Sequence, residues 1–391
     1  MNKHAPQSSA KINTASQLPL FSNLQISRRG FAAALSAIGL LFVTEGTLTG
    51  CVAVDEFITG KRTLVDDIGR TVTTPSPQLL QKVYFTSPLA QTFCFTMAPD
   101  LLAGTSIQFT KDQLAYLPAG TDQLQYMGSL SQGGNIDVDT LKERGVQLML
   151  SISGTGLTDV NIADALKLQD QTGIPVFLID GSFDKIGDTY RLLGKCFDRQ
   201  ERAEELAAYC KNIYDRITDA VSHVPDSERV TYYFAEGPEG LQTELDTSQH
   251  SLAFQVAGGI NAASAMQSPY AAGEMVDITL DKIVEWNPQF IIAWDWESRN
   301  GADRLIRSSS GWAGIDAVKN NRVLAMPSIP FAFCDRPPGV NRFLGIQWPA
   351  NLFYPDYFDI DMVATVRDFY STCYWRDISD AQARRILNLD A

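Results

Sequence analysis

Histidine is scarce in this chain: three occur among 391 residues, at His4, His223 and His250. A site built from several histidines is excluded by count, which removes the usual multi-histidine zinc and copper centres. His-Glu-x-x-His, Gly-x-Ser-x-Gly and the phosphate-cradling P-loop are also missing, so the motifs of zinc proteases, serine hydrolases and P-loop nucleotide hydrolases are absent. No apolar run beyond residue 50 approaches the length of about 20 residues that a bilayer crossing needs. Basic charge is short as well, with 32 Lys and Arg against 45 Asp and Glu. Residues 1–50 hold four basic residues and one acidic one, so the remainder carries 28 against 44, a net charge of −16. Such a surface argues against nucleic acid and anionic lipid, and suits an acidic body that docks a basic partner.

Cysteine is limited too. Apart from Cys51 there are Cys94, Cys196, Cys210, Cys334 and Cys373, an odd number with no Cys-x-x-Cys. Cys196 and Cys210 fall on one predicted helix, where fourteen residues span about 21 Å, beyond disulfide reach. Buried thiols are expected, with Cys334 and Cys373 left open as a pair. A body this large needs no disulfide framework.

What is present begins at the N-terminus. Ser27-Arg28-Arg29-Gly30-Phe31 precedes an apolar run from Phe31 to Val43, and Glu45 is the first acidic residue. A paired arginine before a short apolar run is a twin-arginine export signal. The run of about thirteen residues is a signal core, too short for a permanent span. Leu48-Thr49-Gly50-Cys51 resembles the lipobox of bacterial lipoproteins. The mature chain is therefore expected to start at Cys51, lipid-tethered to the extracytoplasmic face of the cell membrane, with residues 1–50 as signal peptide and 51–66 as linker.

Beyond the linker, strand-like and helix-like segments alternate: 83–86, 101–106, 137–143, 147–153, 164–172 and 175–180. That rhythm predicts a parallel sheet with helices on both faces. From Asp184 to about Val221 no proline occurs, and Ile186, Tyr190, Leu193, Phe197, Ala203, Leu206, Tyr209, Ile213 and Ile217 recur at helical steps. This reads as one long amphipathic helix or two abutting ones. Alternation then resumes: a strand at 229–235 with 241–244 as its hairpin partner, strands at 290–294 and 322–326, and helices at 251–258, 281–286, 340–352, 362–374 and 380–387. The fold class is α/β, with two Rossmann-like lobes (67–182 and 226–391) joined by a long helix (183–225) and a ligand cleft between them.

Four segments, in order, carry a resemblance: Asp67-Ile68-Gly69-Arg70-Thr71-Val72; Gly258-Gly259-Ile260-Asn261; Thr279-Leu280-Asp281-Lys282-Ile283 leading to Asn287-Pro288-Gln289-Phe290-Ile291-Ile292; and Trp312 leading to Ala317-Val318-Lys319-Asn320-Asn321-Arg322-Val323. Together they are similar to the periplasmic binding proteins of iron-siderophore and cobalamin ABC importers. Asp335-Arg336-Pro337-Pro338-Gly339-Val340-Asn341-Arg342 resembles a segment of a branch assigned variously to iron complexes, corrinoids, haem and oxyanions. The resemblance implies a receptor that hands an iron complex, a siderophore-type metal chelate, to an ABC permease and its ATPase. It implies no resident cofactor and no catalysis. Cobalamin, haem or an oxyanion such as molybdate are the alternatives within the family; an exported enzyme, or an adhesion or sensor protein, is the more distant one.

Open parallel sheets bind ligands beyond the carboxyl ends of their strands. This places Ser87, Gln108, Phe109, Ser153 and Thr155 on the first wall, and Glu236, His250, Trp294, Trp296, Phe331 and Arg336 on the second. Aromatics there can stack on a bulky ligand, and Arg336 can pair with a carboxylate or oxyanion. Trp294 serves the core equally well, and Arg336 can equally cap its turn. Gly154-Thr155-Gly156 mimics half of a dinucleotide fingerprint, but Asp159 replaces the third glycine and repels a pyrophosphate; a turn at the cleft rim is the better reading.

Overall fold

Two strands of alternating exposure, β1 (Lys61–Val65) and β2 (Thr71–Pro75), open the body as an antiparallel hairpin. The computed structural model describes residues 59–131, 134–266, 275–294 and 301–389. Arg28, Arg29, Cys51 and Trp296 lie outside these residues. Strand β1 begins inside the stretch read as linker. Its turn explains the Asp-Ile-Gly-Arg motif. Gly69 adopts a left-handed φ of 78°, and Arg70 pairs with Asp66 at 2.8 Å while donating to the Val176 carbonyl at 2.7 Å. The hairpin is thereby fastened to the adjoining sheet.

The first sheet has parallel strands β3 (Val83–Phe85), β4 (Leu148–Ser153) and β5 (Val176–Asp180), in that order. The strands are largely apolar, with Ser151, Ser153 and Asp180 toward their carboxyl ends, because helices cover both faces. Helix α1 (Pro88–Met97) is buried from Leu89 onward. Helix α2 (Asp159–Thr172) starts at a Thr158–Asn161 capping box and ends on left-handed Gly173. The segment expected as a strand at 101–106 contributes only single bridges, Leu102 to Val83 and Thr105 to Tyr126.

The long amphipathic stretch folds as two helices, α3 (Ile186–Phe197) and α4 (Gln200–Ser222). Asp198, at φ 57°, breaks them apart. They pack against one another: a Cβ on Gly194 would lie 2.6 Å from that of Ala203, and Arg191 pairs with Glu204 at 2.8 Å. The link between the sheets is therefore α4, about 35 Å long. Cys196 and Cys210 sit on different helices, contrary to the single-helix expectation.

The second sheet uses β6 (Thr231–Ala235), β8 (Ile260–Asn261), β10 (Phe290–Ala293) and β11 (Val323–Ala325), parallel in the order β11-β10-β6-β8. The short strand β7 (Gln242–Thr243) pairs antiparallel with β9 (Val276–Asp277) and meets the end of β6 through a bridge from Gln242 to Glu236. The helix expected at 340–352 is delivered as two, Arg342–Gly345 and Gln347–Phe353. Helix α5 (Met362–Tyr374) and the helix Asp380–Ile386 close the chain.

Alternate faces of the two sheets go to different cores. Phe85, Leu150 and Ile179 of the first sheet join Phe234 and Ile292 of the second in one continuous cluster, with Leu206, Ile213 and Ile217 of α4 and Phe369 and Tyr374 of α5. The opposite faces carry separate clusters, around Tyr84, Met149 and Leu178, and around Tyr233, Ile291 and Val323. Polar ties reinforce the shared core: Trp375 Nε1 donates to Phe95 O at 3.0 Å, and Gln113 Nε2 to Pro330 O at 3.0 Å. Cys94, Cys196, Cys210, Cys334 and Cys373 are buried free thiols, so Cys334 and Cys373 are unpaired. Among the described residues no helix is long and apolar enough to cross a membrane.

Candidate functional site

The carboxyl ends of β3 and β4 supply one wall. Ser87 follows β3 and caps α1, its Oγ accepting from Ala90 N at 3.1 Å. One turn on, buried Gln91 accepts through Oε1 from Ser106 N at 2.5 Å. Ser153 donates through Oγ to Gly156 O at 2.5 Å, so its hydroxyl is spent inside its own turn. Gln108 and Thr155 are exposed. Phe109 packs on Phe331 from the second half, ring centroids 5.9 Å apart, and Phe331 also stacks near Phe95 and Tyr374. Phe331 is thus part of the aromatic seam between the two halves.

The second wall is built around charge. Glu236 directly follows β6, and its backbone exchanges hydrogen bonds with Gln242 at 2.7 and 3.1 Å. This turn returns the chain so that Glu244, just past β7, stands beside Glu236. Both side chains, and that of Asp335, are completely buried. Arg336 projects into them. Its Nη1 meets Glu236 Oε1 at 2.5 Å and also contacts Asp335 Oδ2, while Nη2 meets Glu244 Oε1 at 2.8 Å. The guanidinium carbon lies 4.6 Å from the Trp294 ring centroid, a cation–π arrangement. His250 Nδ1 faces Asp335 Oδ1.

Glu236, His250, Trp294 and Arg336 are therefore brought together in one cluster. Three partners were missed: Glu244, Asp335 and Gln249. Asp335 adjoins Arg336 in sequence and Glu244 ends the expected 241–244 strand, but burial of an acid cannot be read from either position.

The two walls meet at the Gly154 turn. A Cβ there would lie 2.7 Å from Leu89 Cδ1 in the first half, and 3.0 Å from Gln249 Oε1 and 3.7 Å from Pro338 Cγ in the second. Glycine at this position lets the turn lie close against these side-chain tips.

Burial pushes the Glu236 carboxyl up to about 8, with Asp335 and Glu244 adding to the rise against the opposing pull of Arg336. Burial alone lowers Arg336, but the carboxylates of Asp335, Glu236 and Glu244 outweigh it and hold the guanidinium above its ordinary value. Among the described residues no group of three or more His, Cys, Asp or Glu is arranged to hold a metal ion; here Arg336 sits among the carboxylates. The arrangement suits binding through charge and hydrogen bonds.

A family model described as periplasmic binding protein matches residues 115–330. The molybdate-binding protein MolA of Haemophilus influenzae is 27% identical over 192 residues, 49% of this chain and 52% of that protein. The match thus spans about half the length of that curated relative. An ABC transporter solute binding protein from Sulfurospirillum deleyianum superposes with a TM-score of 0.74 at 22% identity, covering 84% of this chain and 99% of that one. Molybdate-bound MolA of H. influenzae superposes at 0.65 with 20% identity, covering 81% and 99%. At these identities the structural likeness is one of fold, two lobes with a linking helix. Since the matched region exceeds half of its length, this chain belongs to the periplasmic binding protein family.

Proposed function

We infer that the protein is the extracytoplasmic substrate-binding component of an ABC importer, and that its cargo is an intact metal complex of the siderophore-chelate type, neutral or cationic where it meets the second wall. Arg28 and Arg29 direct twin-arginine export, and Cys51 carries the lipid anchor. A permease and its ATPase are the partners, and the acidic body suits salt-dependent docking on a basic surface. The protein performs no bond-making step.

One observation carries the choice of cargo: the Arg336 guanidinium is enclosed by three fully buried carboxylates. An oxyanion needs that guanidinium, and removing it strands the carboxylates at a cost of about 3–5 kcal/mol. Even with a proton on Glu236, two carboxylates face one guanidinium. A neutral or positive complex meets no such cost.

The test is a thermal-shift panel of ferric siderophores, haem, cobalamin, nickel chelates and molybdate. A cargo present at about 100 times its Kd adds about 2.7 kcal/mol, which raises Tm by several degrees. Stabilisation by a ferric or nickel chelate supports the reading. The similarity to MolA favours molybdate as a second reading; a shift with molybdate alone selects it. No shift with any member at large excess rejects the receptor assignment.

A further inference from the structure

The second wall holds more acceptors than the protein satisfies. Glu236 and Glu244 are completely buried, yet each uses one carboxylate oxygen on Arg336 and leaves the other, Oε2, with no hydrogen-bond partner among the described residues. Gln249 Oε1, beside His250 and against Gly154, is buried and unpartnered in the same way. Among the described residues, Asp335 Oδ1 is faced by the His250 ring nitrogen alone. A buried acceptor without a donor costs about 1–3 kcal/mol, so Glu244 Oε2 and Asp335 Oδ1, on two of the acids that ring Arg336, constitute a standing demand for N–H or O–H donors. Arg336 is the cover over them: its side chain retains 21% exposure while the carboxylates beneath have none.

We propose that Arg336 is a displaceable resident cation, seated where the ligand's own positive, hydrogen-bond-donating face binds, and that the cargo is a metal complex whose outer surface presents amine, imidazole or amide N–H groups. This rests on the metal-complex reading above and narrows it. The ligand's donors take the Glu236, Glu244 and Asp335 oxygens, and Arg336 swings off the Trp294 face into the opening. Three features argue for exchange over simple addition. The guanidinium already engages all three acids, the unpartnered oxygens lie beneath it, and the groups facing Glu236 (Arg336, Asp335 and Glu244) hold one positive charge among them. Recognition is outer-sphere, because the donors grouped here do not form a metal-holding set.

Two substitution-inert complexes of one metal read the seat directly: hexaamminecobalt(III), a cation with donors only, and tris(oxalato)cobaltate(III), an anion with acceptors only. Binding is followed by calorimetry and by tryptophan emission, which reports movement of Arg336 from Trp294 when compared with W294F. The hexaammine complex is expected to bind the wild type. Arg336→Gln binds it about tenfold more tightly, because a competitor that fills the seat reduces apparent affinity by its occupancy. Glu244→Gln weakens it at least about tenfold, the loss of one charge-assisted contact. If Arg336→Gln is too unstable to purify, the wild-type comparison of the two complexes and Glu244→Gln still decides.

Failure of Arg336→Gln to tighten binding, or preferential binding of the oxalato complex by the wild type, overturns the proposal. Absence of binding by either complex also overturns it. None of these outcomes touches the receptor assignment, which is decided by the thermal-shift panel.

Discussion

Arg336 concentrates the electrostatics of the second wall in one side chain. Replacement by Met keeps much of its volume but leaves Glu236, Glu244 and Asp335 without their shared cation. Stability should fall by about 3–5 kcal/mol, the cost of stranding buried charge. Urea unfolding measures this; guanidinium chloride is unsuitable, since the denaturant can refill the seat. Glu236 predicts a pH effect of defined sign. Its carboxyl is held at about 8 in the folded protein, against about 4.3 in an unfolded chain. A raised folded value means that the stability it contributes is fully present below the unfolded value and is lost as pH rises through the folded one. The wild type should therefore lose Tm relative to Glu236→Gln between pH 5 and 9, and a parallel pair of curves would falsify this. Glu236 and Trp294 directly follow strands and His250 shortly precedes a helix, so their places at the sheet end follow from the element pattern, whereas Arg336 lies in the long connection between β11 and the helix at 342–345. Glu244 and Asp335 were not legible, because an acid is read as solvated unless its neighbours in space are known.

At the scale of elements, the α3–α4 pair is the instructive case. Its apolar positions step by three or four residues on either side of Asp198, and only the six-residue step from Phe197 to Ala203, with no proline, marks the break, so periodicity alone leaves one helix or two open. Asp tolerates the left-handed conformation better than most residues, and packing of Gly194 against Ala203 makes the reversal worthwhile. Helix propensity favours Ala over Gly by about 1 kcal/mol. Overpacking costs about 1–3 kcal/mol. With only 2.6 Å between the new Cβ and Ala203, overpacking wins, and Gly194→Ala should lower stability by about 1 kcal/mol, measured by urea midpoint. The helices expected at 362–374 and 380–387 form as Met362–Tyr374 and Asp380–Ile386, so the stretch from 340 to 352 was the less legible part of the chain's end. Strand cores such as Phe290–Ala293 are uniformly apolar, whereas the helix expected at 340–352 resolves into two short helices.

For the whole molecule, the shared core decides how the two halves respond to stress. Phe85 and Phe234 belong to one apolar cluster although they come from different sheets, and the Phe95, Phe109 and Phe331 rings bridge the halves. Neither half can open far without exposing this layer. Calorimetry should show one cooperative thermal transition with a calorimetric enthalpy equal to the van't Hoff value; two resolved peaks would contradict a common core. The two-lobe architecture was legible from the alternation of strands and helices. The continuity of the core across the halves was not, since periodicity identifies an apolar face without naming its partner.

The sealed thiols reach further than packing. Burial raises Cys94, Cys210, Cys334 and Cys373 well above their ordinary value and Cys196 to about 12, which suppresses the reactive thiolate. With no disulfide to form among these five cysteines and no exposed thiol among them to oxidise, the body attains the same covalent state in a reducing or an oxidising solution. The redox conditions under which it folds are thereby uncoupled from those under which it works.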